Sequence, residues 1–351
     1  MARTVGIRIR RSRRSLKDRI AVVTGASSGV GRAIARAFAE RGADVALIAR
    51  NVDGLNAAAD EVRASGRRAM VLPVDVANAA AVDAAADRVA AEWGAIDIWV
   101  NDAMVSVFAR ASDIRPDEYR RVMEVNYLGY VHGTLTALRH MGPRNAGVIL
   151  QIGSALAYRS IPLQSAYCAS KAAVRGFTDS LRSELVRERS GIAISMLHLP
   201  AVNTPQFEVV RSRLDGHPQP VPPIYQPEVI AKAAVHAVLH PSREMWIGWS
   251  TTRAIIGQRL IPGVLDRYLA RKAWESQTTR RLPPGHPSQH RADNVDLPIP
   301  GDRGAHGPFD ARAREFSSRF WLRSHARGLT AAAATLAVIS AVTATRRKTQ
   351  T

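Results

Sequence analysis

The segment Thr24-Gly-Ala-Ser-Ser-Gly-Val-Gly31 restricts the fold more than any other stretch of this chain. It follows the apolar run Ile20-Ala-Val-Val23 and precedes Arg32-Ala-Ile-Ala-Arg-Ala-Phe-Ala-Glu-Arg41, which carries a helical pattern. In such a strand–turn–helix unit the glycines let the backbone approach a diphosphate. The helix N-terminus adds amide donors and the positive end of a dipole.

The same order then repeats. Apolar strands are expected at 45–49, 69–74, 96–101, 147–152, 192–199 and 244–249, and helices at 52–65, 79–93, 116–139, 166–189 and 227–240. This alternation predicts an α/β fold, a doubly wound Rossmann-type parallel sheet with helices on both faces and a C-terminal extension. Near-continuous apolar strands agree with burial on both faces. Residues 203–226 interrupt the pattern with five prolines. Their place at the carboxyl edge of the sheet makes them a candidate substrate lid.

Residues 1–17 read as a basic disordered arm. Ser12-Arg-Arg-Ser-Leu-Lys17 looks superficially like a twin-arginine export signal, but the apolar run after it is required as the first strand. Residues 18–250 form the Rossmann-type domain and 251–310 a C-terminal extension. Within the extension 255–274 has a helical pattern, and 281–310, rich in Pro, Gly, His and Asp, reads as an ordered wrap or a linker. In the tail, 311–351, Phe316, Phe320 and Trp321 stand among arginines, a pattern suited to an interfacial helix. Residues 328–345 are uncharged and Ala-rich, at the short end of what spans a bilayer. A soluble tail helix and a membrane anchor both fit. Because the domain needs cytosolic cofactor, the expected location is cytoplasmic, with attachment to the cytoplasmic face through this tail.

Charge supports that division. The net charge of +19 is concentrated at the ends, +7 over residues 1–19 and +10 over 251–351, with +2 between them. A nearly neutral body argues against nucleic-acid binding, while basic ends suit an anionic membrane surface. One cysteine, Cys168, excludes an internal disulfide framework, and the ten histidines show no paired metal spacing, so no metal site is expected.

Within the expected helix 166–189, Ser165-Ala-Tyr-Cys-Ala-Ser-Lys171 sets Tyr167 and Lys171 four residues apart, on one helical face. In a chain with five lysines and seven tyrosines this pairing rarely arises by chance. An ammonium beside a phenol favours phenolate and lowers its pKa, so Tyr167 is expected to exchange a proton with an alcohol oxygen.

The glycine turn and the Tyr-x-x-x-Lys pair together resemble the short-chain dehydrogenase/reductase family over roughly residues 18–250. The resemblance implies roles. Tyr167 matches the general acid/base, and Lys171 the residue that lowers its pKa and holds the nicotinamide ribose. Ser154, in Gln-Ile-Gly-Ser154, lies 13 residues before the tyrosine, the family's usual interval, and would donate to the substrate oxygen. Asn126 matches the helix asparagine that orients a relay water. For the cofactor, Thr24, Gly25, Ser27, Gly29 and Gly31 match the phosphate turn, Asp75 and Val76 the adenine contact, Asn101 the motif after the fourth strand, and Thr204 the residue at the nicotinamide end. Three departures stand out. The family's Asn-Asn-Ala-Gly is Asn101-Asp-Ala-Met104 here, its Pro-Gly is Pro200-Ala201, and the last hundred residues lie outside the family core.

A ribose 2′-hydroxyl is usually read by an acidic residue ending the second strand. Here Ala49 is followed by Arg50 and Asn51, so no carboxylate repels a 2′-phosphate and a guanidinium is present to pair with one. The expectation is an NADP(H)-dependent rather than NAD(H)-dependent oxidoreductase interconverting a small-molecule carbonyl and secondary alcohol. The substrate is expected to be lipophilic if the tail meets a membrane, and the assembly a homodimer or homotetramer. The alternative is a catalytically silent dinucleotide-binding sensor or membrane scaffold.

Overall fold

Each apolar run of the repeat becomes a strand of one sheet in the computed structural model, which describes residues 15–279 and 292–326. The first half runs β1 (Ile20–Thr24), α1 (Gly29–Glu40), β2 (Asp44–Ala49), α2 (Val52–Ala64), β3 (Ala69–Pro73), α3 (Ala79–Trp93), β4 (Ile98–Asn101) and β5 (Val107–Phe108). Then come α4 (Pro116–Met123), α5 (Gly129–Met141), β6 (Gly147–Ser154), α6 (Ser165–Arg187), β7 (Ile192–Leu199), β8 (Ala201–Val202), α7 (Gln206–Val209), β9 (Arg211–Ser212) and β10 (Ile224–Tyr225). The chain continues with α8 (Pro227–Leu239), β11 (Glu244–Trp246), α9 (Gly248–Leu260), α10 (Pro262–Ser276) and β12 (Ala313–Arg314).

Seven strands form a parallel sheet in the order β11-β7-β6-β4-β1-β2-β3. The order reverses beside β1, so a crevice opens at the carboxyl ends of β1 and β4, where ligands bind in sheets of this topology. Alternation along β1 feeds two cores. Ala21 and Val23 pack with α1, α2 and α8, while Ile20 and Val22 pack with α3, α5 and α6. Helix starts follow local chemistry. Asn51 and Asn78 cap α2 and α3 by accepting the Gly54 and Ala81 amides at 3.1 Å each, and Pro begins α4, α8 and α10, where no amide donor is needed.

Three expected elements take a different form. The single helix over 116–139 is interrupted by a π turn at Glu124–Leu128, which carries Asn126. The helix over 255–274 is two helices, because Pro262 cannot donate to the ladder of α9 and starts α10 instead. The irregular 203–226 segment contains α7 and two short strand pairings, β5 with β9 and β8 with β10.

Residues 292–310 form the ordered wrap that composition allowed. The Asn294 amide donates to Val209 O at 2.9 Å, Gly29 N–H donates to Gly304 O at 3.1 Å, and Phe309 N–H donates to Asn203 Oδ1 at 3.0 Å. Buried Val295 and Ala305 anchor this strap in the two cores. β12 then pairs with β10, and Phe320 packs on the core edge-on to His236. Residues 318–326 are helical, with Phe316 and Trp321 exposed. No helix among the described residues is long and apolar enough to cross a membrane. The uncharged 328–345 stretch and the arm 1–14 lie outside the described residues.

Candidate active site

A cavity of about 440 Å³ opens at the crevice beside β1. Ser154 reaches it from the end of β6, and Tyr167 and Lys171 from the first turns of α6. Gly25, Ser27, Gly29, Arg50, Asn51, Asp75, Val76 and Thr204 also line it. Gly25 and Gly29 have φ of +70° and +57°, which glycine adopts without strain. A Cβ at Gly29 would stand 3.3 Å from the Thr204 side chain, so glycine keeps the turn open toward the far wall. The N-terminus of α1 faces the same space. Turn, helix end and cations fit a dinucleotide diphosphate.

Four expected site residues lie behind the wall. Thr24 Oγ1 accepts the Asp102 and Ala103 amides at 3.0 and 3.2 Å and so fixes the loop after β4. Gly31 is excluded from the lining because it packs under the turn, where a Cβ would strike Gly25 O and the Asp102 carboxylate. Asn101 is fully buried. It accepts from Trp99 Nε1 at 2.9 Å and donates to Tyr130 O, Thr134 Oγ1 and Gln151 Oε1, so it joins β4 to α5 and β6. The Asn126 side chain holds both backbone groups of Val105, at 2.8 and 2.9 Å, and donates to Ser170. Its amide is fully used in bracing the cavity floor.

The electrostatics of Tyr167 and Lys171 also differ from the expectation. The Lys171 ammonium donates to Tyr130 Oη and Ile152 O, each at 2.8 Å, and lies 5.8 Å from the Tyr167 ring centre. Burial pushes the Tyr167 phenol up rather than down, only partly opposed by its hydrogen bond with Ser154. Burial likewise lowers the Lys171 pKa, opposed by Asp102, and raises that of Asp102, opposed by Lys171. Sequence spacing placed the ammonium beside the phenol but carried no information on how dry the cavity is.

Several groups at or behind the cavity wall escaped the sequence reading. Asp102 was visible as a departure from a motif, not as an ionisable neighbour of Lys171. Tyr130, beneath Lys171, donates to Ile152 O at 2.9 Å and carries no motif. The Ser154 hydroxyl accepts Leu156 N–H at 3.0 Å, and its carbonyl accepts from His198 Nδ1 at 3.0 Å. The strap contributes Asn294, Pro298, Ile299 and Arg303. It also occupies Arg50, whose guanidinium donates to the carbonyls of Asn294, Val295 and Asp296 and lies 3.9 Å from Asp75. The free, phosphate-pairing guanidinium expected there is therefore engaged. Asn51 donates to Ile299 O and Gly301 O at 2.8 and 2.9 Å.

Comparisons with known proteins identify the family. The family model described as short chain dehydrogenase matches residues 19–215. An uncharacterized oxidoreductase of Bacillus subtilis, YxnA, is 34% identical over 281 residues, which is 80% of this chain and 78% of that protein. The solved alcohol dehydrogenase of the archaeon Thermococcus sibiricus, complexed with 5-hydroxy-NADP, aligns with a TM-score of 0.57 at 28% identity, covering 65% of this chain and 95% of that one. An NAD+-bound xylitol dehydrogenase aligns at 0.51 and 29%, covering 53% and 72%. With the family pattern matched over more than half its length, the chain belongs to the short-chain dehydrogenase family of oxidoreductases.

Proposed function

We propose that this protein is an NADP(H)-dependent oxidoreductase that interconverts a carbonyl and a secondary alcohol, with Tyr167 as acid/base. The observation that carries this reading is the convergence of Ser154, Tyr167, Lys171 and the glycine turn on one cavity. A bound nicotinamide supplies or accepts the hydride. The Ser154 hydroxyl accepts the Leu156 amide and is hydrogen-bonded to Tyr167, and it turns its hydrogen to a substrate oxygen that enters between the two hydroxyls. The neighbouring Tyr167 hydroxyl gives its proton to that oxygen as negative charge develops, and takes it back in the oxidation direction. Lys171, held by Tyr130 and Ile152 O, stabilises the phenolate left behind.

Preference for NADP(H) is supported by the absence of a carboxylate at the end of β2, where Ala49, Arg50 and Asn51 stand, and by the NADP analogue in the archaeal relative. The substrate end is lined by Phe108, Leu156, Ile161, Phe207, Val221 and Leu269, which suits a bulky lipophilic ketone or alcohol. Arg159, at that end, is paired with Asp266 at 2.6 Å and does not call for an acidic substrate. Attachment to the cytoplasmic face of an anionic membrane is supported by exposed Phe316, Trp321 and Leu322 beside a basic tail. Exposed Leu128 and Leu135 beside and on α5 offer a face for a homodimer or homotetramer.

The test is to supply purified full-length protein and NADPH with ketones of graded size and follow loss of reduced cofactor. Oxidation that rises with apolar bulk is expected. Tight NADPH binding without turnover on any ketone would favour the silent sensor.

A further inference from the structure

Four cationic residues are among those lining the cavity: Arg50, Arg159, Lys171 and Arg303. Three are engaged. Arg50 donates to strap carbonyls, Arg159 pairs with Asp266 and donates to Gln258, and Lys171 donates to Tyr130 and Ile152 O. Arg303 has no ion pair or side-chain hydrogen bond among the described residues, and it is exposed. A free guanidinium on a cavity wall is a ready partner for a phosphate, which it meets with two parallel donors.

Its backbone is fixed on both sides. Asp302 forms an ion pair with Arg32 of α1 and accepts the Gly304 amide at 3.0 Å. Gly304 O accepts Gly29 N–H at 3.1 Å, and Gly301 N–H donates to Asp53 at 2.7 Å. Arg303 therefore springs from a segment pinned to the glycine turn through Gly29 and to the start of α2 through Asn51 and Asp53. Asp302 of that segment and Asp53 of α2 are each engaged by these bonds. That wall is where the end of β2 meets the glycine turn, the place where the adenosine ribose is read in sheets of this topology.

We infer that Arg303, carried by the C-terminal strap, is a specificity-determining residue that pairs with the 2′-phosphate of NADP(H). On this inference Arg50 is a positioning residue: it holds the strap by its carbonyls, and the strap delivers the cation. This rests on the NADP(H) reading above and adds to it the group that recognises the phosphate.

The experiment is titration of full-length wild type, Arg303→Ala and Arg303→Lys with NADPH and with NADH, followed by calorimetry. Arg303→Ala should weaken NADPH by at least about tenfold and leave NADH within about twofold, with Arg303→Lys intermediate for NADPH. Unchanged melting temperatures would show that the strap stays folded. Equal weakening of both dinucleotides would assign Arg303 to the shared diphosphate and overturn the inference, as would no change in either. Wild type binding neither dinucleotide, or both equally, would bring down the NADP(H) reading itself, an outcome distinct from failure of the Arg303 assignment alone.

Discussion

Asp102 stands where the family motif that this sequence resembles carries asparagine. Burial raises its carboxyl pKa toward neutrality, against the pull of Lys171. A carboxyl whose native pKa lies above its unfolded value stabilises the fold fully below the ordinary carboxylate range. That contribution is lost as pH rises through the native value. Asp102→Asn, which keeps an acceptor for Gly31 N–H, should melt about 2–4 °C above wild type at pH 8, with the gap shrinking at pH 5. Thermal unfolding at the two pH values checks this, and a pH-independent gap would contradict it. At the residue scale, placement was legible where type and spacing carry it, since Ser154, Tyr167 and Lys171 all reach one cavity. It was not legible where it depends on packing. Asn101 and Asn126 match motif positions, yet their amides are consumed by Trp99, Gln151, Val105 and Ser170. Nothing in a linear string reports which face of a wall a side chain takes.

At the scale of elements, strands and helices of the repeat were readable because apolar period and caps agree with the fold. What could not be read was the path of residues 292–310, since few apolar side chains direct it. It is held by polar contacts to groups far away in sequence, such as Arg50, Asn51, Asn203 and Arg211. One anchor titrates. His306 lies 2.9 Å from Glu228 and 2.8 Å from Asp310. Partial burial lowers its pKa, but the two carboxylates outweigh that and raise it. Strap docking should therefore be strongest below the ordinary histidine pKa, about 6.5, and weaken as pH rises through the raised native value. Hydrogen exchange at Gly301 and Gly304 should be faster at pH 8.5 than at pH 6 after correction for intrinsic rates. His306→Ala should remove that difference. Asn203→Ala removes a fully buried side chain that bonds Gln226, Asp310 and the Phe309 amide. It should cost about 2–3 kcal/mol in denaturant unfolding and open the strap to protease.

For the whole molecule, the strap ties the described part of the extension to the Rossmann-type sheet, and residues of α9, α10 and 292–310 are part of the cavity wall rather than an appendage. Residues 313–326 belong to the body as well, through β12, Phe320 and the Arg319 guanidinium 5.5 Å from the Trp249 ring centre. A membrane test should therefore remove only residues 327–351. Full-length protein should sediment with anionic vesicles at low salt, and a chain ending at residue 326 should stay in the supernatant while binding NADPH normally. Full-length protein remaining in the supernatant would leave the tail without a lipid role. The central claim is that Tyr167 moves the proton while hydride moves at this cavity. It is tested most directly by following deuterium from 4,4-dideuterated NADPH into the carbinol carbon of a turned-over ketone, in wild type and in Tyr167→Phe. Wild type should give deuterated alcohol, and Tyr167→Phe should be slower by about 10²–10⁴ with NADPH affinity unchanged. Deuterium transfer by Tyr167→Phe at the wild-type rate, or alcohol formed without deuterium, would contradict it.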